Sequence, residues 1–243
     1  MTEKMREIAT ANGVLMRTGP AQVRMRLGLA NRRARTFDID DIPIPDSKVA
    51  RDAEEACREA SPDRLVMHCF RTYAWAMMLA RVDDLRPDPE TLYVATMLHD
   101  LALTDQHRHA NSMICFGARA GVFATEWGQR RGLPAERCAT IGDAISLHLN
   151  SRVSPEHGPE AQALQAGAGV DVIGLRLWEL SRSTVDAVMT RYPLLDLVDG
   201  LPLFEAEAHP HTRTQLLTRW LMFMTMARHN PLARRYAAQE LSR

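Results

Sequence analysis

Lysine is almost missing from this chain: of 30 basic residues in 243, only Lys4 and Lys48 are lysines and the rest are arginines. That scarcity reflects genomic base composition and points to no activity. An excess of either charge is also missing, because Asp and Glu together number 30 as well. With no global field to draw it to nucleic acid or to an anionic membrane surface, the chain fits a small-molecule substrate better. Cysteine is sparse: Cys57, Cys69, Cys115 and Cys138 match neither a CxxC metal pair nor the dense framework of a small secreted domain. Long apolar runs are absent too. "MTEKMREIATANGVLMRTG" has no signal-peptide core, and "WLMFMTMA" at 220–227 is too short to cross a bilayer, so a cytoplasmic location is expected. Alternating strand patterns are confined to "FDIDDIPIP". The expected fold class is therefore all-α.

What is present is helical punctuation. "SPDR" at 61–64 predicts a helix to about residue 81, with Ser61 as N-cap and Pro62 first inside. "DPET" at 88–91 repeats that grammar and opens a helix ending soon after Asp100. Further helices are expected over about 46–60, 110–131, from Pro134 through His148, over 167–180, and as one apolar helix over 212–229 whose greasy face would suit a homodimer. The first 45 residues read as less regular, with an Arg-rich run taken as a solvated face or oligomer contact rather than a nucleic-acid arm. The expected layout is a partly helical extension over 1–60 and one helical domain over 61–243.

Several polar residues sit on faces that should turn inward. His68 lies on the stripe of Leu65, Thr72, Trp75 and Leu79. "TLYVATMLHDLALTD" at 91–105 places His99 and Asp100 side by side at the end of an apolar run. His148 closes its own apolar stripe, and Asp171 interrupts "GAGVDVIGL". One buried histidine is ordinary core, but a buried carboxylate without a partner is costly, so several such groups ask for a shared cation. His68, His99, Asp100 and Asp171 make a two-nitrogen, two-oxygen donor set for one divalent metal ion; zinc leads, with Fe, Mn, Ni and Co also compatible.

The order His68, His99-Asp100, Asp171 on helices, with "MLHDLALT", resembles the HD superfamily of metal-dependent hydrolases over about residues 60–180. "HCFRTYAWA", "TLYVATMLHDLALT", "CFGARAG" and the "AISLH" helix are similar to its cyanamide hydratase-like branch. The resemblance implies a helical bundle with one zinc ion adding water to a small nitrile-like molecule. The wider superfamily implies phosphate-ester hydrolysis, often on nucleotides, and a non-catalytic sensor is the third reading. Gly117 departs from the branch, where an acidic residue tends to follow the aromatic, and this leaves the substrate open.

A divalent ion in such a site lowers the pKa of bound water from about 15.7 towards 7. His148 is the candidate to orient substrate or shuttle a proton, with a packed core histidine or a second metal's ligand as the plainer readings. Asp105 is a candidate general acid or base, against a loop-capping role. Arg71 and Arg119 are candidates to grip a substrate anion, which would favour phosphate, while Phe116 is a candidate pocket wall. His107 and His109 either rim the site or sit in solvent. Phe70, Tyr73, Trp75, Met78, Met97 and Phe123 add apolar bulk near the ligand helices and lean towards a neutral substrate.

Overall fold

In the computed structural model, which describes residues 3–26, 31, 33–108, 113–195 and 197–240, all regular structure is helical. Among the described residues there are twelve α-helices: α1 (Glu3–Arg26), α2 (Lys48–Ala60), α3 (Asp63–Val82), α4 (Pro89–Leu98), α5 (Phe116–Arg130), α6 (Ala135–Leu147), α7 (Gly158–Ile173), α8 (Arg182–Arg191), α9 (Leu201–Ala206), α10 (Arg213–Trp220), α11 (Phe223–Arg228) and α12 (Pro231–Glu240). The fold is all-α, as the missing strand patterns required. "FDIDDIPIP" yields only a short 3-10 turn at Ile39–Asp41, and the single isolated bridge joins Arg35 to Leu180.

Capping chemistry explains most boundaries. The Asp88 carboxylate accepts the Thr91 N–H at the start of α4, with Pro89 first inside the helix. Ser61 does not cap α3. Its N–H instead closes α2 on the Cys57 carbonyl, and Pro62 takes the N-cap position with no side-chain bond. The helix expected over 167–180 starts earlier, at Gly158, and stops at Gly174, whose φ of +68° suits glycine. The apolar run over 212–229 is two helices, because Met222 adopts a left-handed φ of +53° between α10 and α11. Residues 3–26 are more regular than their composition suggested: α1 runs through Pro20.

The core is built around α3, buried almost continuously from Val66 to Ala80, with α7 packed across it. Gly167 sets their separation. A Cβ there would stand 2.4 Å from the Thr72 carbonyl oxygen, so only glycine allows the two backbones to meet. Thr72 lies one helical turn beyond His68, and Asp171 lies one turn beyond Gly167. The same close approach that packs the core therefore presses Asp171 onto the face of α3 that carries His68. No helix among the described residues is long and apolar enough to span a membrane.

Candidate metal centre

His99 and Asp100 follow the last residue of α4, and that break answers how two neighbours can share one target. On a continuing helix they would diverge by about 100°. Here His99 keeps helical angles while Asp100 turns away, with φ −109° and ψ 7°. His99 Nε2 then lies 3.4 Å from Asp100 Oδ2. From α3, His68 Nε2 comes within 3.2 Å of His99 Nε2 and 3.4 Å of Asp100 Oδ2. All three residues are buried, and their ligand atoms lie within 4.8 Å of one another.

The far side of each ring decides what these atoms are. His68 Nδ1 is 2.7 Å from Asp171 Oδ2, and an ionised carboxylate only accepts, so Nδ1 carries the hydrogen. His99 Nδ1 donates to the Thr96 carbonyl at 2.7 Å, and His148 Nδ1 donates to the Ile145 carbonyl at 2.5 Å. The last two bonds are the same local device. A histidine just past a helix end returns its N–H to the carbonyl three residues back, one of the acceptors that a helix terminus leaves without a partner. In the neutral tautomers thus fixed, all three Nε2 atoms are lone-pair acceptors, and they converge on Asp100, whose Oδ1 lies 3.6 Å from His148 Nε2.

Acceptors facing acceptors at 3.2–3.4 Å repel unless a proton or a metal cation sits among them. The electrostatics say the same. Burial pulls His68 down, but its hydrogen bonds to Asp100 and Asp171 outweigh this and raise it to about 9, so without a metal its Nε2 holds a proton at neutral pH, in the place a bound ion would take. Burial pulls His99 down to about 4 against the opposing charge of Asp100, keeping it neutral and ready to ligate. Burial pushes the Asp100 carboxyl up, yet His99 and His68 hold it well below the usual carboxylate range. Two neutral imidazoles and one carboxylate suit a first-row divalent ion, with the second-ring hydrogen bond that such ligands normally make.

Asp171 occupies a different place from the one its position in the sequence suggested. It stands behind His68, not beside it, and both oxygens are engaged. Oδ1 accepts from Arg71 Nε at 2.8 Å and from Trp75 Nε1 at 2.9 Å, and Oδ2 accepts from Arg71 Nη2 at 2.9 Å as well as from His68. Asn230 holds the Asp171 carbonyl at 2.6 Å. Burial pushes this carboxyl up, but Arg71 and His68 bring it well below the ordinary range. Asp171 thus orients His68 and fixes its tautomer. Trp75, expected only as apolar core, donates to this carboxylate, and the twin carbonyl anchors at Thr96 and Ile145 were not expected. The spacing His68, Arg71, Trp75 was the available signal, since residues three and seven apart share a helical face.

A cavity of about 170 Å³ opens over the cluster, with His68, His99, Asp100 and His148 at one end. Phe116 lines it and packs its ring 5.8 Å from that of His148. Most of its apolar wall comes from residues not singled out beforehand, including Leu103, Leu201, Phe204 and Phe223; Phe70, Tyr73, Trp75, Met78 and Met97 are core instead. Gly117 is pressed against the imidazole of His148: a Cβ there would lie 3.2 Å from Cε1. An acidic side chain at 117 would crowd that ring.

Three expected site residues lie elsewhere. Arg71 is fully buried, committed to Asp171 and to the Pro193 carbonyl, and absent from the cavity wall. Arg119 is neutralised by Glu207 at 2.8 Å and also binds the Ile114 carbonyl, outside the cavity wall. Asp105 is 92% exposed and pairs with Arg108 at 3.3 Å. Its carboxylate lies past the helix end, where the chain has already turned away from the pocket. His107 packs on Phe123 with ring centroids 4.7 Å apart, away from the cavity wall, and His109 lies outside the described residues.

Residues 65–176 match the family described as HD domain. The chain carries an HD domain. Within it fall His68, His99, Asp100, His148 and Asp171, so both the cation cluster and its support belong to the HD domain. The chain is also similar to two Saccharomyces cerevisiae proteins, cyanamide hydratase DDI2 and cyanamide hydratase DDI3. Each is 25% identical over 159 residues, covering 63% of this chain and 69% of the relative.

Proposed function

We propose that this HD-domain protein is a metal-dependent hydratase that adds water to a small, neutral, nitrile-type molecule such as cyanamide. The observation carrying this reading is the pocket wall: among the described residues, no Arg or Lys lines the cavity above His68, His99 and Asp100. A phosphate ester would want several converging cations for its transferring group. The two arginines that could have served it are held by Asp171 and Glu207. The similarity to the yeast cyanamide hydratases supports the same direction.

His68, His99 and Asp100 would hold the ion, zinc by preference, with Asp171 fixing the tautomer of His68. When bound, a divalent ion supplies Lewis acidity that makes water a usable nucleophile at neutral pH. His148 then has the remaining task. Burial keeps it below its ordinary value, so it is neutral at pH 7, and its Nδ1–H is spent on the Ile145 carbonyl. Its Nε2 is therefore the pocket's proton acceptor. It takes the proton from water as the oxygen–carbon bond forms and returns it to the nitrile nitrogen, leaving an imidic acid whose O–H proton then shifts to nitrogen to give the amide. Phe116 and the aliphatic wall hold the substrate's apolar part and exclude bulk water. The four cysteines, all free thiols, agree with a cytoplasmic site of action.

The test is turnover by the metal-loaded chain on cyanamide, small nitriles and nucleoside monophosphates. Water addition to the nitrile class is expected. Turnover confined to the phosphates would replace this reading with a phosphohydrolase, and tight binding without any turnover would replace it with a sensor. In His99→Ala, bound metal should be lost while helical content is kept.

A further inference from the structure

The HD match begins at residue 65, yet part of the pocket wall comes from well before it. Ala11 and Val14 of α1 both line the cavity, and Ala11 is only 6% exposed. Glu7 lies one turn earlier on the same stripe, and its Oε1 joins α1 to two pieces of the rim. It accepts the backbone N–H of Ser151 at 3.1 Å and Arg213 Nη1 at 2.6 Å. Ser151 lines the cavity itself, just past His148, and Arg213 opens the helix that contributes Leu217 to the wall. One carboxylate therefore fastens α1 to both sides of the mouth.

The attachment is light. Ala11 is the one buried hydrophobic residue among those described in α1, and the Glu7–Arg213 pair stays partly open to solvent, at 18% and 25% exposure. The metal end of the cavity is set on α3, which is buried from Val66 to Ala80. Local opening is drawn from the parts of a structure with little buried apolar area, and the described residues of α1 bury little. We propose that α1 is the movable outer wall of the substrate pocket, that Glu7 is its latch, and that Ala11 and Val14 set the largest molecule the pocket admits. This rests on the reading of the cavity as a substrate site for small neutral molecules.

The experiment compares full-length, metal-loaded wild type with Val14→Ala, Val14→Phe and Glu7→Gln. For the linear nitriles from acetonitrile to octanenitrile, the chain-length limit should rise in Val14→Ala and fall in Val14→Phe, with metal content unchanged in both. In Glu7→Gln, the amides of α1 should exchange hydrogen about two- to five-fold faster, the range expected for loss of one partly exposed ion pair. A size limit that stays put in both Val14 variants overturns the proposal, and so does unaltered exchange of α1 in Glu7→Gln. If wild type neither binds nor hydrates any nitrile, the nitrile reading alone fails. The wall is then decided with benzene, an apolar probe that a dry cavity of comparable size takes up. Weaker benzene binding by Val14→Phe supports the proposal, and unchanged binding refutes it.

Discussion

Replacing Arg71 with methionine separates two roles that the sequence left open, because a cation for substrate anions and a buried structural counter-ion predict opposite outcomes. Methionine keeps the length and apolar stem of the side chain while removing its donors. In the folded protein this removes the bonds of 2.8 and 2.9 Å to the two Asp171 oxygens and the bond to the Pro193 carbonyl, all in a fully buried setting. Removing one member of a buried ion pair typically costs about 3–5 kcal/mol, since the partner's charge stays behind uncompensated. Against a whole-domain stability of about 5–15 kcal/mol, that is a large fraction. Urea titration followed by circular dichroism measures it.

The pH dependence carries a definite sign. Asp171 is held below the ordinary carboxylate range when folded, so the stabilisation from its pairing is complete above about pH 4, the unfolded value, and is lost as pH falls further. The gap between wild type and Arg71→Met should therefore narrow on acidification. Adding Asp171→Leu to Arg71→Met should recover part of the loss, because the stranded charge is gone. A cost under about 1 kcal/mol at neutral pH, combined with a raised KM for an anionic substrate, would refute the structural assignment of Arg71.

The placement of His68, His99 and Asp100 was legible because burial and polarity conflict. Imidazoles and a carboxylate at the inward ends of apolar stripes have few physical resolutions, and a shared cation is one of them. The all-helical fold was legible for a similar reason, since Asp88-Pro89 uses backbone chemistry that acts within a few residues, whereas the stop at Gly174 inside the 167–180 run was not anticipated. What stayed hidden depends on contacts between distant segments. Whether Asp171 faces a metal or the back of His68 is set by how closely α7 meets α3 at Gly167, and a stripe does not encode that distance. The same holds for Arg119, whose counter-ion Glu207 lies 88 positions away. The split of the 212–229 run also escaped, because its apolar pattern continues smoothly through the left-handed turn at Met222.

Asp171→Asn keeps the size of the side chain but weakens its hold on His68, so metal affinity should fall about 10–100-fold with the fold retained, as read by competition with a chelator. Loss of metal as complete as in His99→Ala would instead make Asp171 a direct ligand. His148→Ala should lower kcat by about 10²–10⁴ and leave bound metal in place; equal loss of metal would assign His148 to the ion. Gly117→Asp tests whether the glycine is there to leave room for His148. A Cβ at 117 already falls 3.2 Å from His148 Cε1 and 3.4 Å from Leu149 Cδ1, tighter than ordinary contact, and a carboxylate must extend further. The imidazole cannot retreat without breaking the Nδ1–H bond to Ile145 that aims Nε2 at the pocket. The variant should therefore lose kcat in the manner of His148→Ala, with metal content and helicity preserved. Activity unchanged in Gly117→Asp would show that the position of His148 is not what the glycine protects.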